Sequence, residues 1–300
     1  MNLTRPLLSS ITKPGPIPLK SSITPLTRRL FGLPTPPAPP TLSHNDLPSF
    51  LDYAERTALP ESTTTYQGTL YEYTVQSYLR NSAFNLHRTG GRSDLGIDLS
   101  GTWHVGPNPT IEPPVRVLVQ CKALKTKIGP HVVRELEGVT ARHFAPGAGA
   151  GVLVAPREAT KGVREALGRS GMPLVWMMME RDGSLRQILW NGLVEGMGLG
   201  GLGVELLHSG VHEDELGHGK PEARLTWEGN EVQSMDEVER GMRRLEDRWM
   251  AEWKGRGLGD LSQEDILDAV ERIVSGTRPV MISEKEREAV IRSLQTCADS

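Results

Sequence analysis

From Thr64 to Trp190 the chain alternates short strand-like runs with segments of helical period, and this alternation restricts the fold more than any other feature. Thr64 and Gln67 form a T-x-x-Q capping box, which predicts a helix running to about Arg80. Phe84 to Arg88 reads as a strand. Ile97, Leu99, Trp103 and Val105 alternate with Asp98, Ser100, Thr102 and His104 as a second strand, with Gly101 interrupting its apolar side. After a proline-marked loop, Val115 to Cys121 is a third strand. Val132, Val133, Leu136 and Val139 keep helical spacing between His131 and Phe144. Gly151–Ala155, Glu158–Gly168 and Leu174–Met179 continue as strand, helix and strand, and Leu185–Trp190 adds one more. The order α-β-β-β-α-β-α-β predicts an α/β domain in three layers around a mixed sheet.

The flanks differ in character. Residues 1–45 contain no Asp or Glu but hold Arg5, Lys13, Lys20, Arg28 and Arg29 among many Ser, Thr and Pro. That is the composition of a mitochondrial transit peptide, and Arg29-Leu30-Phe31 resembles a matrix-processing site, so residues 1 to about 31 are expected to be removed after import. Pro34–Pro40 reads as an extended linker. Residues 46–191 hold the α/β domain. Six glycines in residues 192–203 predict a flexible connection, extending to residue 234. From 235 to 300 the pattern is helical: Val238, Met242, Leu245, Trp249 and Trp253 form one stripe, Ser262 caps a helix, and Ser283 with Glu286 forms a second capping box.

Bulk properties exclude several classes. A net charge of -3 rules out a polycation, so nucleic-acid contact requires a local basic patch. Two cysteines, Cys121 and Cys297, make neither a disulfide framework nor a zinc site. No apolar run is long enough for a transmembrane helix.

The chemistry concentrates between Gly91 and Lys122. Alternation on the second strand turns Asp98 away from Ile97 and Leu99, and on the third it places Gln120 and Lys122 opposite Val117, Val119 and Cys121. If the two strands form a hairpin, Asp98, Gln120 and Lys122 share one polar patch. An acid, an amide oxygen and an amine suit a hard cation and phosphodiester hydrolysis. Glu72, on the first helix, supplies a further carboxylate. Arg88, Arg92, Lys125, Lys127 and Arg134 form a basic zone beside this patch, which reads equally as phosphate contact or as a solvated face. Gly196-x-Gly198-x-x-Gly201 matches a dinucleotide fingerprint without the β-α-β unit it needs, and His212-Glu213 lacks a second zinc ligand at position 216.

Tyr71-Glu72, Arg88-Thr-Gly-Gly91, Asp94-Leu-Gly-Ile-Asp98, Val119-Gln-Cys-Lys122, Val133-Arg-Glu-Leu-Glu-Gly138 and Gly151-Val-Leu-Val-Ala155 together resemble the Mrr-like branch of the PD-(D/E)xK nucleases. With the presequence and helical tail, the chain also resembles the fungal mitochondrial family "required for respiratory growth protein seven". The resemblance implies a restriction-endonuclease-like core and a Mg²⁺- or Mn²⁺-dependent endonuclease acting on DNA in the matrix, supporting genome maintenance. Asp98, Gln120 and Glu72 would be its metal ligands, Lys122 its water-orienting amine, and a homodimer its expected assembly. Gln120 stands where the commonest motif has an acid, as is usual in the Mrr-like branch. A nuclease-fold protein that binds nucleic acid or a partner without cutting is the competing expectation, and nothing in the residues separates DNA from RNA.

Overall fold

The computed structural model describes residues 23–89, 96–124, 126–208, 220–256, 261–274 and 280–298. Its centre is a six-stranded mixed sheet in the order β1-β2-β3-β4-β5-β6, comprising Phe84–Arg88, Leu99–Trp103, Val115–Cys121, Ala150–Ala155, Leu174–Met179 and Leu185–Trp190. Strands β1 to β3 form an antiparallel meander, β3, β4 and β5 run parallel through helical crossovers, and β6 returns antiparallel. Each parallel step needs a crossover: α4 (Pro130–His143) links β3 to β4, and α5 (Lys161–Arg169) links β4 to β5.

Period-2 alternation separates two cores. Val117, Val119, Val152 and Val154 face α3 (Thr64–Tyr78) with Tyr71 and Val75, whereas Leu118, Leu153 and Trp176 face α4 and α5 with Val133, Leu136 and Val163. Helices on both faces make the expected α/β layering. The cap of α3 is one residue earlier than the T-x-x-Q pattern suggests: the Thr63 hydroxyl accepts from the Tyr66 N–H, and a 3-10 turn over Leu79–Ser82 extends the helix. Gly101 is required where β1 and β2 pinch together, since a Cβ there would lie 1.9 Å from the Asn85 carbonyl oxygen.

Both flanks are more ordered than their composition suggests. The glycine-rich stretch is not a loose connection. It forms a short helix α6 (Gly192–Val194), a π turn at Glu195–Leu199, and the strands β7 (Leu202–Leu207), β8 (Glu222–Trp227) and β9 (Asn230–Glu231) of a second sheet. Ala223 and Leu225 of that sheet enter the same core as β5 and β6, so burial rather than composition decides its order. The would-be dinucleotide fingerprint falls in the π turn and the turn that precedes β7.

The residues expected to leave with a leader also fold. Thr24 caps α1 (Pro25–Leu30), and Leu26, Leu30 and Phe31 are buried among α7 (Met235–Gly255), α8 (Gln263–Ile273) and α9 (Glu284–Ala298). Phe31 stacks on Trp249 at 5.5 Å, Thr27 Oγ1 donates to Glu246 Oε2 at 2.5 Å, and the Ile282 N–H donates to the Leu30 carbonyl at 2.7 Å. The expected stripe of α7 is therefore a packing face, and its Trp249 and Trp253 are core residues. A second helix, α2 (Leu47–Arg56), packs Phe50 against Tyr73 of α3. At the start of α7, Asp236 and Glu239 pair with Arg80 of the 3-10 turn, tying the helical cluster to the sheet domain.

Candidate active site

The site forms where β2 and β3 part. The two strands stay in register from Trp103↔Val115 to Leu99↔Val119, and the Asp98 N–H still donates to the Val119 carbonyl at 3.0 Å. Beyond that the β2 chain turns away, and the Cys121 N–H would lose its ladder partner. The Asp98 carboxylate takes that place, with Oδ2 accepting from the Cys121 N–H at 2.6 Å. Simple alternation therefore fails at this point: Leu99 lies in the α3-side core, while Ile97 lies in the α4-side core beside Leu118. Asp98 sits at the crossover between the two, in the gap between diverging strands.

Strand β3 behaves as its pattern predicts. Cys121 packs on the α3 side; Gln120 and Lys122 face α4. Gln120 is 2% exposed, and its Nε2 donates to Glu135 Oε1 at 3.4 Å. Its Oε1 is buried with no hydrogen-bond partner among the described residues. Lys122 Nζ lies 3.9 Å from the same Glu135 Oε1, with about a quarter of the lysine side chain exposed. Gly96 closes the site from the loop side: its φ is +82°, and a Cβ there would approach Gln120 Nε2 to 2.7 Å.

Cys121 reports how closely the charged groups gather. Burial pushes its thiol well up, the Asp98 and Glu72 carboxylates push it the same way, and Lys122 opposes them. A thiol held protonated is a poor nucleophile, which agrees with a packing role. Glu72 stands on α3 near this group, but its Oε2 accepts from Arg88 Nε at 2.5 Å, and Arg88 also lies over the Tyr73 ring. The structure thus gathers Asp98, Gln120 and Lys122 at one end of β3. Glu72 is nearby but engaged with Arg88, so Arg88 is bound up in an ion pair rather than freely presented. Lys127 and Arg134 are exposed on the α4 side, and Arg92, Asp94 and Lys125 lie outside the described residues.

Sequence reasoning gave no role to Glu135, which touches both Gln120 and Lys122. The signal was present: Val132, Val133 and Leu136 define the buried face of α4, and Glu135 borders it. Arg181 was also missed; its Nη2 donates to the Ala123 carbonyl at 3.0 Å just past β3, a contact that only the fold creates.

The donor set suits a hard cation of modest protein coordination. No three His, Cys, Asp or Glu side chains among the described residues converge to hold an ion alone. An Asp carboxylate and a buried, unpartnered amide oxygen nevertheless match an ion that keeps several waters and takes further ligands from phosphate. A buried acceptor left unsatisfied costs roughly 1–3 kcal/mol, which a cation ligand would relieve.

Fold and site thus define a mixed-sheet α/β protein with an acid, an amide and a lysine at a strand divergence. The family model described as "Required for respiratory growth protein 7" matches residues 63–207, which span α3 to β7 and include the whole site. Over this segment the chain is similar to that family. The chain is 36% identical over 154 residues to the Schizosaccharomyces pombe protein named "Uncharacterized protein C824.03c, mitochondrial", covering 50% of this chain and 61% of the relative. It is 27% identical over 175 residues to the Saccharomyces cerevisiae "Required for respiratory growth protein 7, mitochondrial", covering 44% of this chain and 72% of that one. A Candida glabrata protein of the same name is 27% identical over 187 residues, covering 47% and 74%. No solved structure matches the chain at a significant level.

Proposed function

We propose that this protein is a mitochondrial, divalent-metal-dependent nuclease with a restriction-endonuclease-like core, acting on DNA in the matrix in support of respiratory growth. The observation that carries the reading is the buried Gln120 Oε1 without a partner among the described residues, on the strand whose end binds Asp98 through the Cys121 N–H and whose Lys122 shares Glu135 with Gln120. The names of the fungal relatives support the compartment and the respiratory role.

A bound Mg²⁺ or Mn²⁺ would be held by Asp98 and Gln120, with Glu72 beyond them, and would supply charge at the phosphoryl oxygen and a water of lowered pKa. The chain's own residues do the rest. Asp98 is held in place by the Cys121 N–H. Lys122 presents a cation at the mouth of the site, where it orients an attacking water or offsets charge on the phosphoryl oxygens. Glu135 restrains both Gln120 and Lys122 from the α4 side, a weak pairing at 3.9 Å that a phosphate can displace.

The Glu72–Arg88 ion pair and the lack of a three-acid cluster among the described residues favour the second reading, a nuclease-fold protein that binds nucleic acid without cutting. The test is to incubate the full chain with linear, branched and single-stranded DNA and RNA, with Mg²⁺, Mn²⁺ or EDTA. Metal-dependent cleavage that falls roughly 10²-fold or more in Lys122→Ala, with the melting temperature unchanged, is expected. Wild-type activity in Lys122→Ala, or no cleavage of any substrate, would overturn the enzymatic reading.

A further inference from the structure

One half of the α4-side sheet face is covered in an unusual way. Over β4 and β5 it is apolar and packed by α4 and α5. Over β1 to β3 it carries Asn85, His87, Ser100, Thr102 and Arg116, with Arg28 of α1 beside them. The segment Pro34–Pro37 lies over it, and a cavity of about 90 Å³ beneath shares Arg28, Pro34 and Arg116 with a neighbouring cleft of about 1060 Å³. Arg28 and Arg116 line both spaces. Arg28 Nη1 donates to the Pro34 carbonyl at 2.5 Å, and Arg116 lies over the Phe144 ring at 5.2 Å. Neither has a carboxylate at ion-pair distance among the described residues; Glu271 is the acid on the wall of the wider cleft, and Glu239 is the acid whose charge reaches Arg28. The local field is positive enough to act on a neighbour: after burial, Arg28 and Arg80 are the largest causes holding His87 uncharged, down to about 4.

We infer that this cleft binds the phosphate backbone of a nucleic-acid strand through Arg28 and Arg116, at the end of β3 opposite the candidate active site. The inference rests on the nucleic-acid reading of that site. Arg116 and Lys122 stand on the same face of one strand, six residues apart, which places them about 20 Å from each other. That distance suits one strand gripped at two points, with sequence-independent contacts at the cleft. Guanidinium groups present planar donor forks that match phosphate oxygens.

The experiment measures binding of labelled single-stranded DNA, RNA and duplex to the full chain in EDTA, by fluorescence anisotropy over a salt series. Arg116→Ala is expected to weaken binding at least fivefold and to reduce the log–log salt slope by about 0.7–0.9, with an unchanged melting temperature. Arg116→Lys should restore most of the slope, and Arg164→Ala, on the exposed side of α5, should match wild type. Equal affinity and slope for wild type and Arg116→Ala would overturn the inference, as would an equal loss in Arg164→Ala. Full competition by inorganic phosphate at matched phosphate concentration would also overturn it, marking a small-anion site. If the wild type binds through Arg116 yet cuts nothing, the cleft stands and the nuclease reading falls. If it cuts while Arg116→Ala binds normally, the reverse holds.

Discussion

Removal of residues 1–31, as the Arg29-Leu30-Phe31 tripeptide suggests, would strip α1 from the helical cluster. Leu26, Leu30 and Phe31 are at most 3% exposed, and burying each stabilises by roughly 1.5–3 kcal/mol, so their loss costs roughly 5–9 kcal/mol in all. Glu246 would lose the Thr27 hydroxyl that offsets its burial, and burial already holds its carboxyl above the usual range. A native domain is stable by only about 5–15 kcal/mol, so the cluster of α7, α8 and α9 should come apart. Hydrogen exchange read by mass spectrometry on the full chain and on a chain beginning at Gly32 tests this. Amides of α7 to α9 should exchange slowly in the first and rapidly in the second, while β3 and β4 stay protected in both. Leu30→Ala, expected to cost about 2–5 kcal/mol, gives an intermediate case. Equal protection of α7 to α9 in the shortened chain would refute the reasoning. The same packing predicts that the mature amino terminus, sequenced from mitochondria, lies before Pro25.

Arg80→Ala should destabilise by about 3–5 kcal/mol in denaturant titration, because it breaks a buried ion pair and takes the guanidinium from Glu239, which is 5% exposed. His104 is buried and held down to about 4 by desolvation, against 6.5 unperturbed. The unfolded chain therefore takes up the proton first, so the fold loses up to about 3 kcal/mol as pH falls from 6.5 to 4, and His104→Gln should flatten that slope in melts across this range. Gly96→Ala forces a side chain into a φ of +82° and against Gln120, so cleavage should fall while the melting temperature drops by only a few degrees. Cys121→Ser should lower stability by roughly 1–3 kcal/mol through burial of a hydroxyl, with cleavage per folded molecule retained.

The main sheet was legible in the sequence because each strand buries at least one face, and burial writes a period of two. Val115–Cys121 was readable to the residue, and with it the side of β3 that carries Gln120 and Lys122. The capping residues Ser262 and Ser283 were equally plain, since a cap is a contact between residues three apart. What the sequence could not say is where neighbouring strands stop pairing. Asp98 was assigned a face by alternation, yet its position follows from the divergence of β2 and β3 and from the orphaned Cys121 N–H it satisfies. Glu135, Arg181 and the Arg88 partner of Glu72 belong to the same group, because contacts across elements leave no local period. Composition was a partial guide at both flanks for one reason: proline, glycine and missing acids describe what a segment does alone in water. Whether residues 25–33 and 192–207 fold was decided by apolar surface on α7 to α9 and on β5 and β6, which only the tertiary structure brings to them.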